Sequence, residues 1–500
     1  MNIHFIGIGG IGVSALARYY AAKGNRVTGS DLAESEITQA LKKQGVRVFI
    51  GPHAAKNVPI NADVVVHSPA VQKDNPELRE ARKRQMKILS YPSALGELTK
   101  THYTIAVSGT HGKSTTTAML GLLLTKAGLD PTVIVGTKLK EFGNSNVRVG
   151  GPARRSFSIG GTPHTAYSIP NTEYLVIEAD EHFASFLHYR PQMIVLTTIE
   201  EDHLDYYKNL GNIMKTFLKY VGQLPKDGWL VCNEEDKNTQ QLISKIKNQK
   251  SKVQFPPSLL LSLKLQRTKR LRRASKIQEY SINRQREADK LRAILKVPGE
   301  HNVANALAAL TAGRILGIPD ETSFKALSQY KGAWRRFEIF NLKKPVPYTL
   351  VSDYGHHPTE IKVTVEAARQ KWPDKKIWLV YQPHQYQRTY YLFDDFTRTL
   401  ARLPIDTLIL ADIYDVAGRE ETQIRNKVSS KKLADSILNT QYSILNTVLH
   451  IPSIKEMYSY LVQNIKRRDV VLVMGAGNIY NLTLMLTGQN EKKTIKSGRT

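Results

Sequence analysis

Three groups of residues in this chain have the types and spacing to do chemistry on a charged substrate. The first is Gly109-Thr110-His111-Gly112-Lys113-Ser114-Thr115, a glycine turn that ends in Gly-Lys-Ser. Backbone N–H groups and the positive end of a helix dipole converge at such a turn, so it suits a polyphosphate. Lys113 adds a full charge, and the Ser114 hydroxyl is a ligand for Mg²⁺. The second group follows two short apolar stretches: Glu178 ends Glu173–Glu178, and His203 comes just after Met193–Ile199. The carboxyl ends of buried parallel strands are where an α/β sheet carries a catalytic metal. Mg²⁺ prefers oxygen ligands, so Ser114 and Glu178 suit it and His203 is an unusual addition. The third group is Gly7-Ile-Gly9-Gly10-Ile-Gly12, with Asp31 about 20 residues on. That turn takes a diphosphate, either of a nicotinamide dinucleotide or of a UDP-sugar, and the fingerprint does not separate them.

These residues need strands that end where the chemistry begins. Ile3–Gly7 and Arg26–Asp31 read as strands around a helix from Val13 to Lys23. Ile105–Val107 is short, apolar and β-branched, as a buried parallel strand should be, and a helix follows from Ser114. Further on, Tyr348–Val351, Trp378–Tyr381, Leu408–Ala411 and Asp469–Met474 alternate with helical segments. Two of them run into polar loops, Asp353-Tyr-Gly-His356-His357-Pro-Thr-Glu360 and Gln382-Pro-His384-Gln385-Tyr386-Gln-Arg388-Thr389. The pattern predicts an α/β protein of three doubly wound domains. These are a Rossmann-like N-terminal domain (1–100), a P-loop-type central ATPase domain (101–332) and a Rossmann-like C-terminal domain (333–488), followed by a tail (489–500).

Composition narrows the setting. A single cysteine, Cys232, rules out a disulfide framework and a thiolate metal cluster. No apolar run reaches the roughly 18 residues of a membrane span, and the N-terminus has no basic segment of a signal peptide, so a cytoplasmic protein with no membrane partner is expected. The net charge of +27 raises the question of nucleic acid. Residues 245–296 hold sixteen Lys/Arg against three acids, and 16 − 3 = +13 is close to half of that charge. The run Lys264–Arg273 has no aromatic residues for base stacking, so a solvated basic insertion at about 246–296 is expected rather than a nucleic-acid site. The segment Asn146–Pro170, rich in Gly, Ser, Thr and Pro, reads as a loop.

Together the motifs resemble the Mur ligases of bacterial cell-wall synthesis. The most specific are His4-Phe-Ile-Gly-Ile-Gly-Gly-Ile-Gly12 and the two loops at 353–360 and 382–389. The glycine loop alone also resembles that of folylpolyglutamate synthases. The resemblance implies an ATP-dependent ligase that joins L-alanine to UDP-N-acetylmuramate through an acyl phosphate, with Mg²⁺, as a monomer or homodimer. It places Gly109 to Thr115, with Asn305, Arg336 and Asp353, on ATP, with Asn305 at the adenine. It puts Ser114, Glu178 and His203 on the metal, and Gly7, Gly9, Gly10, Gly12 and His384 on the UDP-sugar. Lys113, His203, His356 and Arg388 are implied as catalytic. The chain departs from the family pattern at Gln385, where an arginine is common, and at His182-Phe183, where the family is more acidic. The alternatives are a ligase that recycles a whole tripeptide onto the same UDP-sugar, a nicotinamide oxidoreductase and a basic nucleic-acid-binding ATPase.

Overall fold

In the computed structural model, the described residues are 1–152, 172–251, 276–416, 422–445 and 447–489. Among them the strands form three sheets, each mostly parallel. The first has β1 (Asn2–Ile6), β2 (Arg26–Asp31), β3 (Arg47–Ile50), β4 (Val64–His67) and β5 (Lys87–Ser90) in the order 3-2-1-4-5, all parallel. Strand order reverses beside β1, and the glycine turn at 7–12 leaves its carboxyl end, where open α/β sheets bind ligands.

The second sheet has β6 (Tyr103–Ser108), β7 (Thr132–Leu139), β8 (Ser145–Arg148), β9 (Tyr174–Glu178), β10 (Met193–Leu196), β11 (Trp229–Asn233) and β12 (Lys276–Tyr280). Their order is 12-11-10-6-9-7-8, and β8 alone runs antiparallel, against β7. The central β6 feeds the loop at 109–112 and the helix Lys113–Lys126, whose residues from Ser114 to Leu124 are all buried. A helix without a polar face needs cover on every side, which accounts for its unbroken apolar run after Ala118.

The third sheet comprises β13 (Glu338–Leu342), β14 (Tyr348–Asp353), β15 (Ile377–Tyr381), β16 (Thr407–Leu410), β17 (Val448–His450) and β18 (Val470–Met474), in the order 13-14-18-15-16-17 with β13 antiparallel. Ile377, Leu379 and Tyr381 join one core while Trp378 and Val380 join another on the opposite face. Burial on both faces is why β15 reads as a continuous apolar run rather than an alternation.

By packing, the chain falls into two compact units. One holds Met1–Glu200, Leu210–Leu295 and Ala304–Lys331, with the first and second sheets; the other holds Glu201–Asn209, Lys296–Val303 and Gly332–Thr500. Two expectations change. The strand expected over Met193–Ile199 ends at Leu196, so His203 is not at a strand end but caps the short helix Leu204–Tyr207 within the second unit. The described parts of the expected solvated insertion at 246–296 are largely regular secondary structure. A helix runs from Lys237 to Ser251, β12 pairs in parallel with β11, and Gln285–Ile294 is a helix whose Ala288 and Leu291 are buried. The run Lys264–Arg273, most of the loop at 146–170 and the tail beyond Gln489 lie outside the described residues. Among the described residues, no helix is long and apolar enough to cross a membrane.

Candidate active site

The loop after β6 is held open by its own backbone geometry. Gly109 has φ +126° and Gly112 φ +81°, both in the left-handed range that disfavours side chains. A Cβ at Gly109 would stand 2.2 Å from the Thr197 hydroxyl, and one at Gly112 would stand 2.4 Å from Asn305 Oδ1. The Thr110 amide donates to the Thr198 carbonyl (2.8 Å) and the His111 amide to the Thr198 hydroxyl (3.2 Å), fastening the loop to the end of β10. Gly112 caps the following helix without a side-chain bond, leaving that helix end to an anion.

Lys113 points back into this loop. Its Nζ donates to the carbonyls of Gly109 (2.7 Å) and Thr110 (3.1 Å) and lies 3.0 Å from both Glu181 oxygens. Burial alone would lower the Lys113 ammonium, but Glu181, Asp180 and Glu178 outweigh it and hold it above its ordinary value. Burial pushes the Glu181 carboxyl up, against the pull of Lys113. Next to this pair, the Ser114 hydroxyl donates to the Glu178 carboxylate at 2.9 and 3.0 Å, and the Gly136 amide donates to Glu178 Oε2 at 2.7 Å. A hydroxyl and a carboxylate side by side form a hard oxygen donor set, which suits Mg²⁺. The third expected ligand, His203, sits in the other unit and rests on its place in the chain alone.

Asn305 is on the helix Glu300–Ile315, where its Oδ1 accepts from the Thr116 hydroxyl at 3.1 Å. It therefore packs against Gly112 and Thr116, where the glycine loop passes into its helix.

The first sheet positions its glycine turn in a similar way. Gly7 has φ +76°, and the amides of Gly7 and Ile8 both donate to the Ser30 carbonyl (2.9 and 3.0 Å). A Cβ at Gly12 would meet the Tyr91 ring at 2.7 Å. Asp31 Oδ2 accepts from the Gly9 amide at 2.8 Å, so the acid that a nicotinamide site would direct at a ribose here supports the turn.

In the second unit, the loops after β14 and β15 gather one cluster. Arg388 donates through Nε (3.1 Å) and Nη2 (3.0 Å) to Asp202 Oδ1, and both side chains are nearly fully buried. Burial would raise the Asp202 carboxyl, but Arg388 and the nearby histidines 203, 357 and 356 hold it well below the usual carboxylate range. His384 faces Arg388 Nη1 through Nδ1 at 3.3 Å and stacks on Tyr414, with ring centroids 5.6 Å apart. Burial lowers His356 to about 4 and His384 to about 2, with Arg388 adding to both, so each is neutral near pH 7. Gln385 adopts φ +72° and lines a small cleft with Asp202, His203 and Arg388.

Asp353 and Arg336 belong to the same unit. The Asp353 carboxylate accepts from the amides of Phe337 (2.8 Å) and Gly355 (2.7 Å), which fixes the 335–337 segment against the loop. Arg336 lies over the Tyr354 ring at 5.2 Å and 3.8 Å from Glu360. Asp353 is thus built to position its neighbours. Glu181, Asp202 and Gly136 received no role from the sequence; the signal for the first two was acids crowded in the segments that follow β9 and β10.

Comparison with known families settles the class. The Mur ligase family, catalytic domain, matches residues 2–103, the Mur ligase middle domain 107–313, and the Mur ligase, glutamate ligase domain, 335–477. The chain belongs to the Mur ligase family. Curated Mur ligases similar to it include the UDP-N-acetylmuramate–L-alanine ligases of Clostridium botulinum (strain Okra), 36% identical over 493 residues, and of Clostridium tetani, 38% identical over 492. Each alignment covers 96% of both chains. Among solved structures, UDP-N-acetylmuramate–alanine ligase from Thermotoga maritima matches with a TM-score of 0.72 at 26% identity, covering 99% of this chain and 100% of that one. A murein peptide ligase from Psychrobacter arcticus shares the fold, with a TM-score of 0.63 at 22% identity and 98% of each chain covered.

Proposed function

We propose that this Mur ligase joins L-alanine to UDP-N-acetylmuramate at the expense of ATP, through an acyl phosphate, in the synthesis of peptidoglycan precursors. The observation that carries the reading is the full-length similarity to UDP-N-acetylmuramate–L-alanine ligases, at 36–38% identity over 96% of the chain. The loop geometry supports it. Lys113 stays charged against the carbonyls of Gly109 and Thr110, where a γ-phosphate would displace Glu181 as its partner. Such a group stabilises charge that builds during phosphoryl transfer, where catalysis is chiefly positioning and electrostatics. Ser114 and Glu178 would hold Mg²⁺, which when bound neutralises phosphate charge. The glycine turn at 7–12 takes the UDP diphosphate. In the second unit, Arg388, fixed by Asp202, and the neutral His356 and His384 receive the carboxylates and the incoming amine. Held neutral, each imidazole can donate one hydrogen bond and accept another, which suits the pair to orienting these groups.

We also place the domain boundaries at about 100 and 332, and the enzyme in the cytoplasm, where its nucleotide substrates are made. A phosphate-release assay with ATP, UDP-N-acetylmuramate and L-alanine, each omitted in turn, tests the function. Release that ignores the UDP-sugar would overturn it. Binding of NADH in place of the UDP-sugar would favour the oxidoreductase reading, which leaves Lys113, Ser114 and Glu178 without a task.

A further inference from the structure

The first sheet has a second concavity, at the end opposite its glycine turn. A cavity of about 550 Å³ opens at the amino ends of β1, β2 and β3. Its volume lies within the range of small-molecule sites. Three cations line it, Arg26, Arg47 and Lys56, and no carboxylate is among the lining residues. Among the described residues none of the three has an ion-pair partner. All three side chains are exposed, and Arg47 lies over the Phe49 ring at 4.9 Å, so the cavity presents positive charge without a counter-charge to an incoming anion.

The floor of the cavity is built from fixed groups. Thr28 and Asn57 both line it, and each is tied to a buried partner below. The Thr28 hydroxyl pairs with His4 Nδ1 at 2.9 Å, and Asn57 Nδ2 donates to Glu77 Oε1 at 2.9 Å. His4 Nε2 closes the arrangement on Glu77 Oε2 at 3.0 Å, with both side chains fully buried. Polar groups held in this way are pre-organised, so a ligand does not bear the entropy of ordering them. The position also separates the cavity from catalysis: substrates of open α/β sheets bind at the carboxyl ends of strands, and this site is at the amino ends.

We infer that this cavity binds a small phosphorylated metabolite, with Arg26, Arg47 and Lys56 on its phosphates and Thr28 and Asn57 presenting hydrogen-bonding groups from the floor. The site is distinct from the nucleotide loop and the glycine turn, so it is not a substrate position for the ligase.

Isothermal titration of the full-length protein with inorganic pyrophosphate tests this, at near-physiological salt and with ATP and UDP-N-acetylmuramate both present in excess. The expected result is saturable binding that survives the two substrates. In Arg26→Gln/Arg47→Gln that binding should weaken by a hundredfold or so, about tenfold per charge-assisted contact removed. Both side chains are exposed, so the variant should fold, which circular dichroism checks. Unchanged binding in the double variant would overturn the inference. So would pyrophosphate binding that vanishes when the substrates are added, because it would then belong to the catalytic loops.

Discussion

Replacing Glu77 with glutamine tests how the first sheet is held together. The Glu77 carboxylate is fully buried and accepts bonds from His4, Ser30 (2.6 Å), His53 (3.0 Å) and Asn57. Burial works against its charge, but these bonds outweigh burial and lower the carboxyl from its ordinary 4.5 to about 2. At ~1.4 kcal/mol per tenfold, that lowering is worth roughly 3 kcal/mol of stability. A carboxyl depressed in the folded state stabilises fully above its unfolded value and loses that contribution as pH falls through its folded value. The full amount is therefore present near pH 7, and only about 1.4 kcal/mol of it remains near pH 3. Denaturant-dependent hydrogen exchange at the amides of β1 and β4 reads this stability locally. Glu77→Gln should be less protected than wild type near pH 7 by about 3 kcal/mol, and the gap should narrow by about 2 kcal/mol near pH 3. Other carboxylates titrate alike in both proteins and cancel. A gap of the same size at both pH values would refute the reasoning, because the penalty would then come from shape and not from charge.

Lys113→Ala should abolish ATP-dependent phosphate release while circular dichroism stays native; retained turnover would remove the lysine from phosphate chemistry. Asp202→Ala leaves the buried Arg388 guanidinium without its carboxylate and should cost about 3–5 kcal/mol in the second unit, read by urea unfolding through Trp334, Trp372 and Trp378 fluorescence. Gln385→Arg restores a cation beside Arg388 and should lower the KM for L-alanine by roughly tenfold with the KM for ATP unchanged. Steady-state kinetics with alanine, glycine and serine decides it, and unaltered alanine kinetics would take Gln385 out of the amino-acid site.

Much of the fold was legible because the inner strands announce themselves. Residues 105–107, 193–196 and 378–381 are apolar runs bounded by glycine or polar turns, as strands buried on both faces must be, and 3–6 is broken only by His4. The edges were less legible. Strand β12, Lys-Ile-Gln-Glu-Tyr, follows a basic run and carries three polar residues, so its charge masked its pairing with β11. The pentapeptide Ser-Ile-Leu-Asn-Thr, which occurs at 436–440 and again at 443–447, makes the same point. Its first copy ends the helix Ser430–Asn439, while residues 443–445 of the second are outside any helix or strand. Tertiary contacts decided between them: Ile437 is buried and Ile444 is 63% exposed. In the candidate site, glycine positions could be read because left-handed backbone leaves little choice of residue. The partners Glu181 and Asp202 could not, since which acid meets which cation depends on chain separated by 68 residues in one case and 186 in the other.

The Asp202–Arg388 pair also sets how this protein can be divided. The unit built around the third sheet is not one length of chain, because Glu201–Asn209 and Lys296–Val303 complete it. A gene fragment starting at residue 332 would encode all of the third sheet yet omit the carboxylate that neutralises the buried Arg388 guanidinium. Recombination that swaps this module between relatives must therefore carry two distant codon stretches with it, or leave a stranded charge. During synthesis the order is reversed: Asp202 leaves the ribosome long before Arg388 and has to wait for it, and the module can finish folding only once β18 (Val470–Met474), which lies between β14 and β15, has also been made.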